Sequence, residues 1–206
     1  MIPKIEFVYS WIYDSLFEEN FKKNPPHFAP TKYPSPEKIR EFIKEIEPLW
    51  RKHENKVLKE LSRVSGLKWK EKEIKAYVVG VTYPFSDPLT LPKYKDKNWF
   101  IDNLIHELIH QLFIQKGNLE ISNNSWDFID KKYKKESQKT RIHIPLHAIH
   151  KSIYLKFFGK KRLMIEQKFM KKHKDYHNSW QIVNKEGHEN IINEFKKRLK
   201  DKNSKS

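Results

Sequence analysis

The chain has 206 residues, of which 37% are hydrophobic and 33% charged, with 14% aromatic, 5 Gly, 11 Pro and no Cys. Without cysteine there is no disulfide framework, no thiolate metal site and no cysteine nucleophile, so any metal must sit on His, Asp or Glu. Lys and Arg exceed Asp and Glu by 42 to 26, a formal charge of +16, and 16 of those cations against 6 acids fall from Lys151 onward. Such an excess raises nucleic acid as a partner, although lysines spread over solvated helix faces account for it more simply.

MIPKIEFVYSWIYD carries Glu6 and Asp14 where a signal peptide needs apolar residues, and no window approaches a membrane span. The expectation is a soluble cytoplasmic protein with no membrane partner. Ile5 to Tyr9 reads as a strand, followed by a helix over Trp11 to Asn20. NPPHFAPTKYPSPEK, with five prolines, is an irregular loop. Ser35 then caps a helix with Pro36 in its first turn. Apolar residues at Ile39, Phe42, Ile46 and Trp50, continuing through Val57, Leu61 and Val64, predict one long helix, kinked near Pro48 and stopped at Gly66.

Ile74 to Tyr83 is the clearest strand, followed by an extended piece at Leu89 to Leu91. Trp99 to Lys116 is the most apolar helix, closed by Gly117. Ser125 is read as the cap of a short helix to Tyr133. A helix from Ile144 ends at Gly159, with Pro145 in its first turn and His143 outside it. Lys161 to Lys174 and Tyr176 to Leu199 are helical, the latter broken near Gly187, before a frayed DKNSKS tail. The expected architecture is a single α+β domain over 1–206, mostly helical with a small β-sheet beside a buried helix. Its parts are 1–73 (strand, Pro-rich loop, long helix), 74–117 (strand and apolar helix) and 118–206 (a basic helical lobe).

The chemistry concentrates in WFIDNLIHELIHQLFIQKG, which contains His106-Glu107-Leu108-Ile109-His110. Histidines at i and i+4 share one helical face a turn apart, so both imidazoles reach one cation, while Glu107 points toward the water that completes the shell. Ile101, Leu104, Ile105, Leu108, Ile109, Leu112 and Phe113 cover nearly all azimuths, so the helix should be central. Burying two His and a Glu there costs several kcal/mol unless something satisfies them.

A strand, a short extended segment and a buried HExxH helix resemble the catalytic core of zincin metallopeptidases, especially small gluzincin-like members, over residues 74–150. The resemblance implies a zincin-like fold, a zinc ion on His106 and His110, and a peptidase that hydrolyses amide bonds of a peptide or protein through a metal-bound water, with Glu107 as general base. A metzincin has Gly and His where this chain has Phe113 and Lys116, and no downstream Glu has the Asp four residues later of a typical gluzincin. The third ligand therefore comes from His143, His147 and His150 in TRIHIPLHAIHKSIY, or from a carboxylate such as Glu166. His147, one turn into the expected helix beside the small Ala148, is favoured as ligand, and His143 as a catalytic group that polarises the carbonyl. Asp102, Asn103, Asp127 and Asp130 could orient the imidazoles but read more simply as caps or surface acids, and none is assigned that role. Trp126, Tyr176 and Trp180 are assigned to the core, and His173, His177 and His188 to solvent. The alternative reading is a basic nucleic-acid-binding or regulatory protein with a structural or vestigial metal site.

Overall fold

The computed structural model describes residues 1–26 and 29–199. Residues 27–28 of the Pro-rich loop, and the tail expected to fray, lie outside the described residues. The protein is α+β, with four strands and nine helices among the described residues, and it forms two compact units.

The first unit takes Met1–Lys56 and Glu71–Gln111. Strands β1 (Lys4–Val8) and β2 (Glu73–Val79) pair in parallel, Ile5 opposite Ile74. β2 pairs in parallel with β4 (Leu89–Pro92), and the short β3 (Phe85–Ser86) adds antiparallel to β4, giving the order β1-β2-β4-β3. β4 corresponds to the expected extended segment. β2 stops at Val79, earlier than expected, because Gly80 turns the chain onto Tyr33: a Cβ there would stand 2.5 Å from the ring Cζ. α1 (Trp11–Lys23) starts at Ser10, whose side chain accepts from the Tyr13 N–H. Its buried Asp14 accepts from the Tyr33 hydroxyl at 2.6 Å and from the Gly80 N–H at 2.9 Å, fixing the loop after the prolines against the end of β2.

The expected long helix is two, α2 (Pro36–Arg51) and α3 (Glu54–Ser65). Pro48 is accommodated inside α2, and the break comes after Arg51, where the His53 N–H closes on the Trp50 carbonyl. Arg51 explains the position: its guanidinium binds Glu47 at 2.7 Å, Glu54 at 2.6 Å and the Ile5 carbonyl at 2.9 Å, tying the turn to β1. These multiple charge-assisted bonds outweigh the apolar periodicity that runs through the break.

α4 (Lys97–Ile114) contains the HExxH sequence. Its Phe100 meets Phe7 of β1 at 5.8 Å and Phe42 of α2 at 5.3 Å between ring centroids, and the Gln111 amide donates to the Ser86 carbonyl of β3. The helix is thereby held against the sheet, as its near-uniform apolar surface requires.

The second unit takes Val57–Lys70 and the chain from Leu112 onward. α3 supplies buried Val57, Leu58, Leu61 and Val64, and the Leu58 carbonyl accepts from the Trp69 indole at 2.9 Å. α5 (Asn118–Lys132) begins eight residues earlier than expected. Gly117, at φ +81, ends α4 and starts α5, while the buried Asn118 amide donates to the carbonyls of Leu112 and Lys68. Ser125 is mid-helix and caps nothing; its hydroxyl donates to the Phe195 carbonyl at 2.7 Å. Trp126, half-buried, stacks edge-on against Phe113 and Phe195.

α6 (Gln138–Ile153) also corrects the expectation. It starts at Ser137, which caps the Thr140 N–H, so Pro145 lies in the interior and His143 is inside the helix. A proline costs an interior helix one hydrogen bond and crowds the carbonyl four residues back. The Arg141 side chain, four residues before Pro145, ties the first turn down by donating to the Glu136 carbonyl and to Asp130. A π-helical turn (Tyr154–Phe158) carries the chain to Gly159, followed by α7 (Lys160–Met170), α8 (Lys174–Glu186) and α9 (His188–Lys196), with Gly187 at φ +86 making the expected break. Among the described residues no helix is long and apolar enough to cross a membrane.

Candidate metal centre

In α4, Leu104, Ile105, Leu108, Ile109, Leu112 and Phe113 are all buried, and His106 and Glu107 are buried with them. His110 is half-buried. The two imidazoles lie a turn apart with ring centroids 5.2 Å from each other at 64°, an arrangement imposed by their i, i+4 spacing. Burial pushes the Glu107 carboxyl up to about 8, because an ionised carboxylate loses its hydration in an apolar helix environment. A cation beside it reverses that effect. Asp102, one turn before His106, is also buried, whereas the Asn103 amide donates to the Trp99 carbonyl in its own helix and does not act on an imidazole. Asp130 binds Arg141 at 2.7 Å, and Asp127 shares a surface hollow with it.

In the second unit, α6 places His143 and His147 on one face, again four residues apart, and the two rings are 5.5 Å from each other. His143 is buried, and its Nδ1 lies 2.7 Å from the Lys139 carbonyl. A carbonyl only accepts, so Nδ1 carries the proton and Nε2 carries the lone pair. Burial lowers its pKa to about 4, which keeps it neutral at pH 7, the form in which imidazole ligates metal. Tyr176 of α8 packs edge-on against the His143 ring at 4.5 Å and is itself covered by the Lys139 ammonium at 4.6 Å.

His147 is held differently. Its ring stacks on Trp180 at 4.2 Å and 9°, and its Nδ1 lies 2.6 Å from the Ser179 hydroxyl, which donates to the Tyr176 carbonyl. His150, fully enclosed beside Tyr154, has its pKa lowered to about 3 by burial. Glu166 is buried on α7. Of the histidines expected in solvent, His173, His177 and His188 are half-buried.

Comparison with family models, curated proteins and solved structures found no match to this chain.

The parts that sequence reasoning missed are the Lys139 carbonyl and Ser179, which fix two imidazole rings through their second nitrogen. The signal that was present is the spacing of His143 and His147, which repeats that of His106 and His110.

Proposed function

We propose that the chain is a zincin-like, zinc-dependent peptidase in which His106, His110 and His143 would hold the ion and Glu107 handles the proton. The observation that carries this reading is that His106 and His110 lie one turn apart on one face of α4, their ring centroids 5.2 Å from each other, with the buried Glu107 beside them. Three neutral imidazoles suit a borderline-soft dication and leave one coordination position open, as catalytic zinc sites do.

This reading assigns the ligand role to His143 and not to the favoured His147. Its fixed tautomer leaves Nε2 as the donor atom, and the Lys139 carbonyl raises the basicity of the ring. His147, stacked and bonded to Ser179, acts as structural support.

An ion held there supplies Lewis acidity toward a substrate carbonyl and toward water. Glu107 sits one residue along from His106, turned about 100° from it, where it takes a proton from water and delivers it to the leaving amine nitrogen. The ion would offset the burial that raises the carboxyl, leaving Glu107 ionised and able to accept that proton near neutral pH. The substrate class, a peptide, rests on the HExxH resemblance.

The test is metal content and zinc-dependent thermal stabilisation of purified variants. His106→Ala and His143→Ala should each lose stoichiometric zinc and the stabilisation, whereas His147→Ala should keep zinc at a lower melting temperature. Zinc retained without His143 and lost without His147 would overturn the assignment.

A further inference from the structure

Between Leu155 and Lys174 the chain carries eight Lys or Arg and one acid, Glu166. That acid is buried, so the outer surface of α7 itself presents cations and no carboxylate, while Lys156 on its flank is paired with Glu60 at 2.8 Å. The same surface is apolar: Leu155, Met164, Ile165 and Phe169 expose 42%, 60%, 58% and 43% of their area. The opposite face, with Leu163 and Glu166, is turned inward.

The spacing interleaves the two kinds of side chain. Met164 and Ile165 lie three and four residues from both Lys161 and Lys168, and Phe169 lies three from Lys172, so apolar tips and ammonium groups alternate along one outward strip. The Lys172 ammonium already lies over the Phe169 ring at 5.7 Å.

We propose that this face of α7 is a docking surface for an anionic lipid bilayer, on which the helix lies in the plane of the headgroups. Lysines with long methylene stems keep their charge at phosphate level while neighbouring Met, Ile and Phe enter the acyl boundary. A nucleic-acid phosphate backbone would use the cations but would leave Met164 and Ile165 without a role. An acidic surface with an apolar layer just beneath it matches both components.

The experiment is co-sedimentation of the full chain with vesicles of phosphatidylcholine alone and of phosphatidylcholine with about 30 mol% phosphatidylglycerol, at low and raised salt. Binding to the anionic vesicles should exceed binding to the neutral ones at least about tenfold and should survive in part at raised salt. Met164→Ser/Ile165→Ser and Lys161→Glu/Lys168→Glu, all at exposed positions, should each weaken it about tenfold with an unchanged melting temperature. Leu16→Ser, at an exposed apolar position on α1, should have no effect. Equal binding to both vesicles would overturn the proposal. So would binding that salt removes completely and that the Met164 and Ile165 changes leave intact, the pattern of simple charge adsorption. Loss of binding in Leu16→Ser would place the contact elsewhere and overturn it as well.

Discussion

Gly80→Ala adds a single methyl group, yet its cost should rival the loss of a core leucine. Gly80 does not have a positive φ, so alanine meets no backbone penalty there. The penalty is all contact: the new Cβ would stand 2.5 Å from Tyr33 Cζ and 2.9 Å from its hydroxyl oxygen. The ring cannot withdraw freely, because that hydroxyl donates to Asp14 at 2.6 Å and accepts from the Gly80 N–H at 3.1 Å. Asp14, buried, also takes the Gly80 N–H at 2.9 Å. Overpacking of this kind costs about 1–3 kcal/mol. Breaking a hydrogen bond to a buried carboxylate adds about 1.5–3 kcal/mol, for a total near ~4 kcal/mol.

A Tyr33→Leu background removes the end of the ring and with it the collision. There the same Gly80→Ala change should cost less than ~1 kcal/mol, a coupling of about 3 kcal/mol in the double-mutant cycle. Urea denaturation of the four proteins, with m compared across them, measures it. Equal costs of Gly80→Ala in both backgrounds would show that Tyr33 is not what restricts this position.

Glu107→Gln should retain zinc and lose peptide hydrolysis by about 100-fold or more, since it removes the proton acceptor and leaves the imidazoles in place; loss of metal would refute the role. Glu60 is held down to about 2, from 4.5, chiefly by its hydrogen bonds to Arg63 and then by Lys156. Because the folded pKa is the lower one, this stabilisation is complete above pH 4.5 and disappears as pH falls toward 2. With both cations largely exposed it amounts to about 1–2 kcal/mol, and Glu60→Gln should flatten acid unfolding monitored by circular dichroism over that window. Asn118→Ala strands the Leu112 and Lys68 carbonyls and should cost about 2–4 kcal/mol in denaturant melts, whereas Asn123→Ala, on the exposed side of α5, should cost under ~0.5 kcal/mol.

α4 was legible because its burial is written in its own side chains, and the breaks at Gly159 and Gly187 because a positive φ is a local demand that glycine meets. The start of α6 was not. Ser137 and the polar turn behind it carry no apolar rhythm, while Pro145 imitates a helix beginning, and the misplacement put His143 outside the helix and His147 first in line. α5 hides for a similar reason: its opening turns, Asn118 to Asn124, are mostly polar, and what fixes them is Asn118 bonding to carbonyls at distant positions. β1, β2 and β4 were visible and the two-residue β3 was not, and the pairing of Ile5 with Ile74 depends on the intervening helices and has no local signature. The candidate site divides the same way. The residues proposed to act, His106, Glu107 and His110, stand together in one stretch of sequence, and the proposed third imidazole comes from a short segment in which two ring orientations are set by Lys139 and Ser179.

The chain leaves the first unit after Lys56, contributes Val57–Lys70 to the second, returns, and leaves for good after Gln111. No single cut separates the two, so neither unit corresponds to one uninterrupted stretch that could be expressed alone or acquired by simple gene fusion. During synthesis, α3 emerges with Val57, Leu58, Leu61 and Val64 ready for burial, but the remainder of its unit begins only at Leu112 and includes Phe195 near the far end. At ribosomal rates of about 5–20 residues per second that wait lasts on the order of ten seconds. Over that interval an apolar helix face waits for its partners, which makes α3 a segment that benefits from chaperone cover in the nascent protein.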